Sequence, residues 1–388
     1  MNVRRRAGVL VAAAGMAAAV LVPQAAGAVA RPGGAGGSRA VVQIVAAGLN
    51  TPRGLVYDAA RHQVLVAEAG TAAGDSGQCG IGEGGGKLCF GATGSIFAYN
   101  PVTGGGHEMI TGLPSESLLP AGTAVLGLEA LSLDKGQLDG VWGLLGFPST
   151  RTSEGPGAAV LGQVAHISRA GALTAYGDIA TFEIKTYGTG EESDPYDLIT
   201  GPYGTVVANA GGHAVNGNIG GNDLELVSPQ GQVSQLAAFP QRYWKGIHKP
   251  ADLIESVPTA VVQGKDGAFY VGELSGAPYF PGSARIWRVV PGHKAQVFAT
   301  GFTNIISMTT DHQGNLIVLE IAKNGLGATD QTGALYKVSL SGRRTLLAAT
   351  GLTNPGGVVQ VGNAFYITNL TATTGGIGQL LKVTVPNP

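Results

Sequence analysis

Charge is scarce in this chain: Asp, Glu, Lys and Arg make up only 13% of the 388 residues, and 24 basic side chains nearly cancel 25 acidic ones. A formal net charge of -1 supplies no global field, so nucleic acid is not an expected partner. Aromatic residues are 6% of the chain and cysteines number two, which leaves a Cys-based zinc site without ligands. Seven histidines are scattered, His213 and His248 among them, and none forms an H-x-x-x-H or H-E-x-x-H pair. There is no G-x-S-x-G elbow, and the Gly-rich runs lack the Lys-Ser/Thr of a phosphate-binding loop. These absences remove the common hydrolase, zincin and nucleotide-binding signatures. They also weigh against an enzyme, because neither a His base nor a paired acid/base spacing stands out.

Glycine, by contrast, is abundant at 64 residues. Together with the low charge it suits many short strands and tight turns rather than long surface helices. The one long apolar run lies in Met1–Ala30, where Arg4, Arg5 and Arg6 precede Ala7–Val22 and two A-x-A sites end at Ala28 and Ala30. This is the layout of a secretory signal peptide; an uncleaved anchor is the alternative. Residues 31–39 read as a flexible lead-in, and no later stretch is apolar enough to span a bilayer as a helix. The expected location is secreted or extracytoplasmic. There Cys79 and Cys89, ten residues apart in CGIGEGGGKLC, are expected to form a disulfide, with two free thiols as the alternative.

The phrase GLNTPRGLVYDAARHQVLVAEAG (Gly48–Gly70) recurs near the end as GLTNPGGVVQVGNAFYITNL, beginning at Gly351. Between them the order of turn, strand, DG- or QG-type turn and strand returns, as in AFYVGE ending on Glu273 and LIVLE ending on Glu320. Six units of four strands predict an all-β, six-bladed propeller over residues 40–388, against a seven-bladed count or an open solenoid. The sixth unit is one strand short. Ala40–Ala46, AVVQIVA, is expected to supply that strand and close the ring.

Insertions concentrate on one face, in Gly70–Gly94, Gly112–Gly127, Gly146–Ala159, Gly177–Pro195, Ala210–Gly221, Pro240–Pro258 and Ser275–Ser283. Long loops on a rigid scaffold mark the expected binding face. Five polar residues should end the second strands there: Glu68, Asn209, Glu273, Glu320 and Asn369. Four more, Glu129, Asp194, Asn304 and Asn354, should approach the channel from the starts of the innermost strands. Converging oxygens of this kind suit calcium or a polar ligand such as a sugar; the favoured alternative is that each residue caps backbone N–H groups of its own loop, repeated because the blade is repeated. The loop FPQRYWKGIH (Phe239–His248) mixes aromatic and basic groups, as a sugar or partner contact does, or packs over the rim through Tyr243 and Trp244.

ESDPYDL (Glu192–Leu198), NAGG and GGNDLELV within Asn209–Val227, ESVPT (Glu255–Thr259), YVGELSGAPYFPGSARIWRV (Tyr270–Val289), ATGFTNI (Ala299–Ile305) and VLEIAKNGL (Val318–Leu326) carry a family resemblance. In these the sequence resembles the ScyD/ScyE family of exported bacterial propellers, named for members encoded beside scytonemin-pigment genes. The likeness covers most of the chain after the leader and departs from the family in the second unit and in the insertion His213–Gly220. It implies an extracytoplasmic six-bladed propeller related to NHL-type repeats, and brings no catalytic residues with it. Two functions are therefore expected: a binding or scaffold propeller for a small polar ligand, glycan or envelope protein, or a calcium-dependent lactonase or sugar-dehydrogenase-like enzyme.

Overall fold

Six four-stranded antiparallel sheets form a six-bladed β-propeller in the computed structural model, which describes residues 40–72, 78–81, 86–119, 124–144, 151, 155–188, 193–211, 221–244, 253–372 and 375–386. The leader, the lead-in, the insertion His213–Gly220 and His248 lie outside these residues. Blade I comprises Pro52–Asp58, Gln63–Glu68, Lys87–Tyr99 and Gly106–Leu119; blade II, Leu128–Asp134, Gln137–Trp142, Gln163–Ile167 and Leu173–Asp178. Blade III runs through Pro195–Gly201, Gly204–Asn209, Asp223–Val227 and Val233–Ala238, and blade IV through Pro258–Gln263, Phe269–Glu273, Ala284–Val289 and Gln296–Phe302. Blade V has Ile305–Thr310, Leu316–Glu320, Ala334–Val338 and Arg344–Ala348. Blade VI takes Val358–Val361, Ala364–Asn369 and Gly378–Thr384 from the end of the chain and Val41–Leu49 from the beginning. The expected ring closure is thus present, with Val42 opposite Val383.

The hydrophobic core is divided into seams between neighbouring blades. Leu65 and Ile96 meet Leu128 and Trp142 between blades I and II, Val207 meets Val141 and Val164 between II and III, and Tyr366 meets Val64 and Tyr99 between VI and I. Each second strand is sandwiched between two such seams, so it must be apolar on both faces. That explains the near-continuous apolar runs VLVAE, FYVGE and LIVLE, which depart from simple alternation. Fourth strands lie outermost and are largely exposed, as in Arg344–Ala348.

Two expectations need correction. Gly70–Gly94 and Gly112–Gly127 are only partly loop, because blade I extends its outer hairpin to Lys87 and Leu119. The extension buries Leu88, Ser115, Glu116 and Ser117, and the Cys79–Cys89 disulfide fastens the short strand Cys79–Ile81 to it. Gly177–Pro195 holds an α-helix, Ile179–Tyr187: the Asp178 side chain caps it by accepting from Thr181 N at 2.9 Å, and Arg151 in turn pairs with Asp178. Among the described residues no helix is long and apolar enough to cross a membrane.

Candidate functional site

The five predicted polar residues do end the second strands of blades I, III, IV, V and VI, at equivalent positions. Opposite three of them stands a proline: Pro52 across from Glu68, Pro195 from Asn209, Pro258 from Glu273. Proline has no N–H to continue the ladder, so the strand-end side chain turns to backbone donors just upstream. Glu68 accepts from Asn50 N and from the Ser95 hydroxyl at 2.7 Å. Asn209 accepts from Asp194 N at 2.9 Å, Glu320 from Thr303 N at 2.8 Å and Asn369 from Thr353 N at 2.8 Å. In blades I and VI the acceptor holds the N–H just before a residue of left-handed backbone, Thr51 at φ 50° and Asn354 at φ 41°. These side chains point into their own blades, each organising the turn that leads into the innermost strand.

Glu273 is served differently. Arg242, from a short strand in the connection between blades III and IV, binds its carboxylate, and Trp287 Nε1 donates at 3.0 Å. The loop carrying Arg242 packs on the rim as well: Phe239 is buried against Trp287, and Trp244 stacks on Phe280. Burial raises these acids. It brings Glu68 to about 7 against the pull of the Ser95 hydroxyl and Asn50 N–H, and Glu320 to about 7 against Thr303 N–H and Arg344. Glu273 also lies above the usual range, through burial opposed by Arg242 and the Trp287 and Ser256 donors.

Of the four residues predicted at the starts of innermost strands, two have structural duties. Asn304 donates to Leu274 O at 2.7 Å and accepts from Leu326 N at 3.0 Å, while Asn354 donates to Gln331 Oε1 at 2.9 Å. The other two belong to one buried group. Arg53 Nε lies 3.1 Å from Glu129 Oε2, and Arg53 Nη2 donates to Val125 O at 2.8 Å. Burial opposes the Arg53 charge, but Glu129, Tyr196 and Asp194 together outweigh it and raise the guanidinium pKa. Glu129 is pushed up by burial, against the pull of Arg53 and Gly127 N–H. Gly143 shows how close the acids lie: a Cβ there would sit 2.9 Å from both Asp194 Oδ1 and Glu129 Cγ.

Three blades thus contribute to one polar group: Arg53 from I, Glu129 from II, Asp194 and Tyr196 from III. It can orient a ligand by both donor and acceptor. Arg53 and Tyr196 escaped the sequence reading, although Arg53 had a signal, since TPRG in the first repeat replaces the NPGG of the last. An arginine on an innermost strand where the matching last repeat has glycine is a departure to be explained. A further His–Asp contact, His166 Nδ1 to Asp139 Oδ1 at 2.5 Å, joins the third and second strands of blade II and has no part in this group.

No protein-family model matches the sequence, and no curated protein matches it at a significant level. Solved structures do resemble it. A PQQ-bound aldose sugar dehydrogenase from Streptomyces coelicolor superposes with a TM-score of 0.53 at 12% identity, over 90% of this chain and 99% of the other. A candidate gluconolactonase gives a TM-score of 0.50 at 11% identity, over 89% and 92%. A luciferin-regenerating enzyme gives 0.50 at 11% identity, over 90% and 96%. At such identities the likeness is one of fold: the chain is built as these six-bladed propellers are.

Proposed function

We propose that the protein is a secreted or cell-envelope binding or scaffold propeller, a relative of the ScyD/ScyE group, that takes a small polar ligand, glycan or envelope protein on its loop-rich face. The observation that carries this reading is the engagement of the strand-end acids. Glu68, Glu273 and Glu320, with Asn209 and Asn369, spend their oxygens on donors of their own blades or of the adjoining rim loop. A ring of ligands for a central ion would instead need those oxygens turned inward. What remains for recognition at the innermost strands is the Arg53–Glu129–Asp194–Tyr196 group, a mixed donor and acceptor set of the kind that fixes polar ligands.

The second reading, a calcium-dependent lactonase or sugar-dehydrogenase-like enzyme, rests on the approach of the Glu129 and Asp194 carboxylates at Gly143. The named fold relatives include enzymes of these kinds, and fold alone does not transfer their chemistry. The deciding experiment is a glycan and envelope-polymer array with the purified protein, repeated with Tyr196→Phe. The binding reading expects a hit whose affinity falls roughly tenfold when the hydroxyl is removed, the loss expected of a hydrogen bond made to ligand. A blank array with no crosslinked partner at the native cell surface counts against it. Calcium-dependent turnover of lactones or sugars, lost in Glu129→Gln, would replace it with the enzyme reading.

A further inference from the structure

Away from the innermost strands, one place gathers negative charge in the packed seam between blades II and III. Asp223 and Glu225 stand two residues apart on the third strand of blade III, so they project from the same face. Val227, the next residue on that face, packs in the seam with Val141 and Val164. The helix Ile179–Tyr187 lays Ile179 into the same seam, and one turn further on it brings Glu183 to the two strand carboxylates. All three residues are fully buried, and their ligating oxygens lie within 4.8 Å of one another.

An independent feature points to what belongs there. Glu225 is fully buried, faces the other two acids, and receives no hydrogen bond on either oxygen from any described residue. Asp223 Oδ1 likewise lacks a donor, while its Oδ2 accepts from Gln235 Nε2 at 2.8 Å. Burial, followed by the neighbouring Asp223 and Glu183, drives Glu225 well above the usual carboxylate range, and burial brings Asp223 to about 7. Among the described residues no cationic side chain offsets either shift. Burying carboxylates without a compensating charge is strongly unfavourable, and a bound metal ion supplies that charge.

The dimensions suit a hard divalent cation. Calcium holds oxygens at about 2.3–2.6 Å, so two ligands of one ion can be no more than about 5 Å apart. The carboxylate oxygens, all within 4.8 Å of one another, satisfy that bound. Gln235, which is exposed and contacts both Asp223 and the Tyr187 hydroxyl, links this cluster to solvent.

We propose that Glu183, Asp223 and Glu225 bind a divalent cation of the calcium class that clamps the helix to blade III. The site is separate from the strand-end acids and from the Arg53–Glu129 pair.

The test uses the purified full chain stripped with a chelator, then titrated with calcium, magnesium and manganese while thermal unfolding is followed. Terbium, a calcium stand-in, is titrated in parallel, with its emission excited through tyrosine. At about 1 mM calcium we expect a rise in Tm of roughly 5 °C. Terbium emission should appear and be displaced by calcium. Asp223→Asn and Glu225→Gln each weaken binding at least tenfold, the usual effect of losing a charged ligand. Tyr187→Phe keeps the calcium-induced rise in Tm but loses most of the sensitised emission. Glu68→Gln and Glu320→Gln respond as the unaltered protein does.

Several results would overturn the proposal. One is a chelator-treated protein whose Tm responds to none of these ions up to about 5 mM, beyond the weakest extracellular calcium sites. Another is a metal response that survives Glu225→Gln, or terbium emission undiminished in Tyr187→Phe. A third is a Glu225→Gln protein more stable than the unaltered chain in both chelator and calcium, which would mark a protonated carboxyl cluster instead.

Discussion

At the scale of single residues, buried acids govern the response to pH. Glu68, Glu320 and Asp197 all have folded-state carboxyls near 7, in each case through burial opposed by hydrogen-bond donors; for Asp197 these are Val261 N–H and Leu198 N–H. In an unfolded chain such groups titrate near 4, so between about pH 4 and pH 7 the folded protein holds the extra protons. Stability is therefore highest below that window and falls as pH rises through 7. Urea unfolding in chelator at pH 5 and pH 8 checks the sign: the pH 5 protein should be the more stable, and the reverse order contradicts these assignments. The caps give a second prediction. Asn209→Ala leaves Asp194 N–H without its 2.9 Å acceptor and should cost about 1–3 kcal/mol in the same assay. Arg53→Ala strands the fully buried Glu129 and should cost about 3–5 kcal/mol, whereas the apolar pair Arg53→Met with Glu129→Leu should recover most of that loss.

At the scale of elements, the outer hairpin of blade I is the longest ribbon among the described residues, and the Cys79–Cys89 bridge ties its neighbour to it. Cys79→Ser with Cys89→Ser should cost roughly 2–3 kcal/mol, the chain-entropy value for a loop of this length. Hydrogen exchange should place the loss in Lys87–Gly91 and Ser115–Leu119; exchange unchanged there would separate the disulfide from the ribbon's stability. This hairpin extension and the helix Ile179–Tyr187 are the longest of the elements the sequence reading missed. The hairpin extension, KLCFGATG, is broken by glycines and a bulge, so it carries no clean alternation over its length. The helix had a signal in Asp178 followed by Thr181, which a strand-by-strand reading of the repeat passed over.

At the scale of the whole molecule, closure depends on Val41–Leu49 pairing with Gly378–Thr384, because every blade is held by its two neighbours. Removing residues up to Ala46 exposes the edge of blade VI and strips apolar cover from the VI–I seam, where Val45 and Ala46 pack beside Leu380. A fall in Tm of about 10 °C or more, or aggregation, is expected for a loss of this size. An unchanged melting transition would show that the other three strands of blade VI suffice to close the ring.

The repeat, the blade number, the closing strand and the positions of Glu68, Asn209, Glu273, Glu320 and Asn369 were all decided by the sequence alone. Each follows from local periodicity, turn chemistry and register, which operate between residues close along the chain or in equivalent places in the repeat. Where those side chains point was decided only by tertiary structure, since a strand-end acid can serve the channel or its own turn with the same sequence pattern. The proline opposite Glu68 and the donors at Asn50 and Ser95 settle it for that residue. The assembly of Arg53 with Glu129, Asp194 and Tyr196, and of Glu183 with Asp223 and Glu225, likewise depended on folding, because blades distant in sequence become neighbours only when the ring forms.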